Sequence, residues 1–215
     1  MSTPGFDPET VDEIGCPVWI SELAHDDPNH LVHVVRDLEP ARALELLGAD
    51  RQSISSCELP AERPDEHTSL PGAAIAPLNP TAVLLAGRVG DWTFVYDDLG
   101  HTLGFLRTAD PDLETAQVLS GEGAAAATGY VTITGQAGFV YAVGGELLTN
   151  ASAVFELSDL PEDAPAEIRA AFESAGSCDP ELDDYLGIRA VCALAGLPCG
   201  LEAIRELPLL VAPLD

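Results

Sequence analysis

Ala82-Val-Leu-Leu-Ala-Gly-Arg-Val89, then Gly90-Asp91, then Trp92-Thr-Phe-Val-Tyr96: this stretch decides the fold. Two apolar runs meet across two residues, and glycine at the first loop position suits a tight β-hairpin turn. Trp92, Phe94 and Tyr96 alternate with Thr93 and Val95, the period of a strand with one face on a core. Tyr130–Thr134 and Phe139–Val143 read as a second hairpin around Gly135–Gly138. Glu146–Thr149 and Val154–Leu157 read as another strand pair. Upstream, Leu31–Val35 reads as a strand that leads into a helix opened by Pro40 and stopped by Gly48. Val18–Leu23 suits a short helix or strand, and Leu103–Leu106 a short strand.

Downstream the pattern changes period. Leu113–Leu119 reads as a short helix after Asp110-Pro111. Ile168, Ala171, Phe172 and Ala175 follow helical spacing between an Asp163 cap and Gly176. Asp179-Pro180 opens another helix that ends at Gly196. Glu202–Leu207 forms a last turn and Leu209–Val211 a closing edge strand. The expected fold is α+β: an antiparallel sheet of five or more strands with helices packed on one face and a helical C-terminal segment. Residues 1–15, with Pro4, Gly5 and Pro8, read as a loose arm. Residues 16–215 read as one domain, interrupted by a Pro- and acid-rich loop over 49–80.

The charge removes several functions. The 215 residues hold 36 acids against 9 basic residues, a formal charge of −27. All nine are arginine. The acids are spread evenly: 15 in residues 1–72, 9 in 73–157 and 12 in 158–215. A chain so poor in cations repels nucleic-acid backbones and anionic membrane surfaces. Without lysine there is no phosphate-loop lysine, Schiff base or lysine general base. A GC-rich genome and adaptation to salt both produce such a composition. The five cysteines, at 16, 57, 178, 192 and 199, have no C-x-x-C spacing and read as free cytosolic thiols. The N-terminus lacks a basic, apolar leader and no 18-residue apolar run is present, so a cytoplasmic protein is expected.

Motifs with chemistry are few. His25, Asp26, Asp27, His30 and His33 are the densest set of metal-type ligands. His25, Asp27 and His30 are weak candidates, because a strand over 30–35 sends His30 and His33 to opposite faces and Asp26–Asn29 reads as a turn. Asp179, Glu181 and Asp183 resemble the start of a calcium loop, but Asp184 stands where the glycine is required. Asp179 then reads as a helix cap. Gly121–Gly129 has a phosphate-loop look without its lysine and reads as a flexible connection. Tyr96, Tyr130, Tyr141 and Trp92 suit a core better than a pocket. No catalytic residue and no cofactor is assigned.

The order of strand, helix ending Leu-Leu-Gly, acidic loop and Gly90–Gly100 resembles an actinobacterial family of uncharacterised proteins. The likeness rests on Leu31–Arg36 and on Trp92 followed by an acid and Gly100, and spans about residues 17 to 213. It implies a GC-rich bacterial source and a cytoplasmic protein, and it assigns no functional residue. The leading expectation is a non-catalytic, immunity-like interaction protein whose acidic surface meets a basic protein or peptide. The residues expected to meet that partner are Trp92, Asp97, Asp98, Asp183 and Asp184. The competing expectation is a small enzyme or ligand- or metal-binding protein using side chains such as Asp97 or His101 in a deep pocket.

Overall fold

The hairpin forms as its sequence dictates. In the computed structural model, which describes residues 10–24, 29–103, 113–152, 160–176, 183–197 and 200–214, β3 (Ala82–Val89) and β4 (Trp92–Asp97) pair antiparallel. Gly90 turns between them with φ 57°. The other strands are β1 (His30–Arg36), β2 (Ser55–Cys57), β5 (Ala125–Val131), β6 (Ala137–Val143), β7 (Glu146–Ser152) and β8 (Leu209–Leu214). Together they make one antiparallel sheet of eight strands in the order β2-β8-β3-β4-β1-β5-β6-β7.

Helices cover both faces. They are α1 (Val18–Leu23), α2 (Pro40–Leu46), α3 (Leu70–Ala74), α4 (Thr115–Glu122), α5 (Ala166–Ala175), α6 (Leu186–Ala195) and α7 (Leu201–Arg205). Strand alternation splits the core in two. Val32, Val34, Phe94, Tyr96, Ala127 and Phe139 face one way, under Trp19 of α1 and the C-terminal helices α5 and α6. Leu31, Val35, Val95, Ala126 and Val140 face the other way, under Leu44 of α2 and Leu119 of α4. The C-terminal helices pack on one face as expected. The opposite face carries α2 and α4 because its strand residues are apolar too, and such a surface needs its own cover.

Five local expectations change. The run Gly121–Gly129, expected as a connection, is the end of α4 and most of β5. The strand of the second hairpin is Ala125–Val131, earlier than Tyr130–Thr134. The reason is close packing: a Cβ at Gly129 would stand 2.7 Å from the Gly187 carbonyl oxygen, and one at Gly187 2.7 Å from that of Gly138. Helix α6 therefore lies directly on the sheet backbone, and small residues are required beneath it. The 49–80 loop contains β2 and α3, and β8 lies inside the sheet because β2 pairs with its outer side. Helix α5 starts after Pro165, not at an Asp163 cap.

The N-terminal segment is tied down from residue 12 onward. The Asp12 carboxylate accepts from the Ile14 and Cys16 amides and from the Ser21 hydroxyl. Residues 1–9, and the expected elements at 104–106, 154–157 and 179–182, lie outside the described residues. Among the described residues no helix is long and apolar enough to cross a membrane.

Candidate functional site

The five residues expected to meet a partner do not form one face. Trp92 is 8% exposed and lies beneath Arg36, whose guanidinium carbon is 4.6 Å from the ring centroid. Asp183 is 1% exposed and forms a two-pronged ion pair with the fully buried Arg189. That guanidinium also donates to the carbonyls of Gly15, Ala175 and Gly176. All five of its donors are thus occupied, which is how a charge is tolerated in a core. The pair fastens the N-terminal segment to α5 and α6. Asp184 is half-buried, the most accessible of the five.

Asp97 ends β4, Asp98 opens the turn after it, and both are buried. Asp97 accepts from the Leu99 amide and, with its second oxygen, from the amide and hydroxyl of Thr102, each at 2.7 Å. Thr102 lies in a helical turn over residues 101–103. Its hydroxyl gives its proton to Asp97, so it accepts from His33 Nε2 at 2.9 Å. His33 Nδ1 then accepts from the Thr128 hydroxyl at 2.9 Å. This ordering puts the ring proton on Nε2 and leaves the imidazole neutral. Burial pushes the His33 pKa down to about 3. The chain Asp97–Thr102–His33–Thr128 has the residue types of a proton relay, but its four side chains are at most 2% exposed. It fixes the sheet to the turn above it.

Of the metal candidates only His30 is among the described residues. His30 Nδ1 is 3.0 Å from the Tyr96 hydroxyl and its ring stacks on Tyr96, on the face opposite His33. His25 and Asp27 lie outside the described residues. Among the described residues no three His, Cys, Asp or Glu side chains gather as a metal site. Cys16, Cys57 and Cys192 are buried, and Cys16 and Cys57 are free thiols. Burial raises the Cys16 thiol to about 12 and the Cys57 thiol to about 11, which makes them inert packing. Tyr96 and Tyr141 are core residues. Tyr141 donates to Glu167 of α5, and its hydroxyl is raised by desolvation first and by that carboxylate second.

Asp98 is different, because it borders open space. Its carboxylate accepts from the Ser69 hydroxyl at 2.6 Å and from the Val83 amide at 3.1 Å. Ser69 caps α3 by accepting from Gly72 at 3.1 Å. These bonds suspend the 60–81 segment over the ends of β3 and β4. Beneath it runs a cleft of about 630 Å³, with Asp98, Ser69 and Val83 on its floor and Pro64, Pro77 and Leu78 among its walls. His67 also lines it, so serine, histidine and aspartate share one cleft. Ser69 donates straight to the carboxylate, however, and His67 is a solvent-exposed partner of Glu66 at 3.4 Å. No imidazole base is bonded to the hydroxyl, so a nucleophilic triad is not assembled. Sequence reading missed this cleft. Its available signal was the five prolines of a long loop, which build walls as readily as they mark a linker.

Compared against protein families, curated proteins and solved structures, the chain has no match in any of the three.

Proposed function

We propose that this is a non-catalytic, immunity-like interaction protein of the bacterial cytoplasm, and that its acidic surface binds a basic protein. The supporting observation is what its arginines do. The eight described arginines all have an acceptor within the chain. Arg36 pairs with Glu167, Arg42 with Glu45 and Glu122, Arg51 with Glu45, Arg88 with Glu39, Arg189 with Asp183 and Arg205 with Glu202. Arg63 and Arg169 donate to the carbonyls of Ala24 and Pro161. The described arginines are engaged within the chain, so the large excess of carboxylates sets the outer field. Such a field speeds association with an opposite charge and selects against acidic partners.

The docking region follows from the same geometry. Glu22, Glu62 and Glu202 line one hollow between α1, the 60–63 segment and α7. Asp65 and Glu66 stand exposed beside it. Arg63 and Arg205 also line this hollow; Arg63 donates to the Ala24 carbonyl, and Arg205 donates to the carbonyls of Pro60 and Ala61 and pairs with Glu202. The likeness to the actinobacterial family belongs to this proposal and adds no residue to it.

The test begins with capture from a cell lysate and ends with a purified pair. The captured basic protein is identified, purified and titrated against the full chain at several salt concentrations. One-to-one binding that weakens with salt is expected. Glu62→Gln with Glu202→Gln should weaken it more than Glu146→Gln with Glu173→Gln. Equal effects of the two pairs, or a capture no different from that of an equally acidic control, would overturn the proposal.

A further inference from the structure

We infer that the 60–81 segment is a strap that undocks from the sheet as one unit, with Ser69 as its latch, and so opens the cleft beneath it. The inference concerns the free chain and stands apart from the protein partner proposed above. At the start of the strap, Arg205 donates to the carbonyls of Pro60 and Ala61, and Arg63 donates to the Ala24 carbonyl. At its middle, the Ser69 hydroxyl donates to Asp98 at 2.6 Å. At its end, the Thr81 amide donates to the Leu214 carbonyl at 3.1 Å, just before the chain enters β3. Of residues 60–81 only Ser69, Leu70 and Pro71 are buried, and Ala74 and Ile75 pack partly against the core. A segment with so few buried side chains belongs to the low-stability end of a fold.

The bonds inside the strap are local. The Gly72 amide donates to the Ser69 hydroxyl, Ala73 to the Ser69 carbonyl, Ile75 to Gly72, Ala76 to Ala73 and Leu78 to Ile75. They are built on α3, a helix of 5 residues, which is too short to persist alone in water. They therefore last while the strap is docked and are lost together when it leaves. Ser69 joins the two levels, because one hydroxyl caps the helix and holds Asp98. Asp98 stays with the sheet, since the Val83 amide of β3 also donates to it. Pro60, Pro64, Pro71, Pro77 and Pro80 fix φ at five positions, so the strap moves as a body. Its departure bares Leu70 and the cleft floor at Asp98 and Val83. Glu62 lines both this cleft and the hollow between α1 and α7, so one movement alters both.

The experiment is native-state hydrogen exchange on the isotope-labelled full chain, followed by NMR at several urea concentrations below the unfolding transition. The amides of Gly72, Ala73, Ile75, Ala76 and Leu78 are expected to share one opening constant and one shallow urea dependence. The Val83 amide and those of β1 and β4 should be protected about tenfold more or better, with a steeper dependence, because they open only when far more surface is exposed. Ser69→Ala should speed the strap amides together by about tenfold or more, the loss of a hydrogen bond to a charged group. Gly129→Ala strains the contact of α6 with β5, which the open strap leaves intact. It should speed the β1 and β4 amides and leave the strap amides unchanged. Should either variant fail to fold, the wild-type urea dependence carries the test. Strap amides that follow the central strands in urea, that exchange at unrelated rates, that show no protection, or that ignore Ser69→Ala would each overturn the inference.

Discussion

His33 gives this fold a measurable weakness toward acid. The ring is fully buried between Thr102 and Thr128, and burial lowers its pKa from 6.5 to about 3. In the unfolded chain it titrates near its ordinary value. A histidine held neutral in the native state contributes its full stability above about pH 6.5. Below that, the unfolded chain takes up a proton that the native one refuses. Stability therefore falls with falling pH, by up to about 1.4 kcal/mol per pH unit, until the native ring titrates. At pH 5 the unfolded imidazole is protonated about thirtyfold over neutral, which amounts to about 2 kcal/mol of lost stability. Many carboxylates titrate in the same range, so the wild-type profile alone does not isolate the effect. The assay is urea unfolding at pH 8, 7, 6 and 5 for the wild type and for His33→Gln. The difference between the two stabilities should be constant from pH 8 to 7 and shrink by about 2 kcal/mol by pH 5. A difference that stays flat through this range would mean that His33 is protonated in the native state or reached by water, and the reasoning fails.

Arg189→Met leaves Asp183 buried without its guanidinium and should cost about 3–5 kcal/mol by denaturant unfolding; adding Asp183→Leu should recover most of that loss. Gly121→Ala and Gly129→Ala should act in opposite directions. Nothing stands within 4 Å of a Cβ at helical Gly121, so alanine there should add about 0.5–1 kcal/mol, whereas at Gly129 it meets the α6 backbone and should remove about 1–3 kcal/mol, both read from thermal melts. Iodoacetamide at pH 8 followed by peptide mapping should leave Cys16 and Cys57 unmodified in the native protein and modify both in urea, since burial keeps them protonated at that pH.

What the sequence made legible was whatever a single element carries within itself. The period-two aromatics of β4 and the Gly90 turn reported a strand and a hairpin, and both formed, with β4 running one residue further, to Asp97. Pro40 and Gly48 bracketed α2 for the same local reason. The Ala-rich strand β5 was illegible because strand signals come from branched and aromatic side chains. Here the selecting force is the approach of α6, sixty residues away in the chain, which demands the absence of side chains at Gly129. The same holds for the acids. Two adjacent aspartates after a strand look like a solvated turn. Asp98 is buried because its donors arrive from residues 29 and 15 positions away, Ser69 and Val83. No window of local sequence contains that information.

These buried acids change what the charge means. A carboxylate inside a protein needs hydrogen-bond donors or a cation. Asp97, Asp98 and Asp183, the fully buried acids among the described residues, all have them, from amides, hydroxyls and Arg189. The remaining arginines are few and mostly engaged by carboxylates at the surface. Nine arginines cannot neutralise 36 acids in any arrangement, and a core offers no unoccupied donors for the surplus. The excess must therefore face solvent, where each carboxylate is well hydrated but repels its neighbours. Self-repulsion of this kind weakens the compact state unless salt or an opposite charge screens it. On the proposed function, a basic partner would relieve that repulsion, and its binding should raise the melting temperature by an amount that salt diminishes.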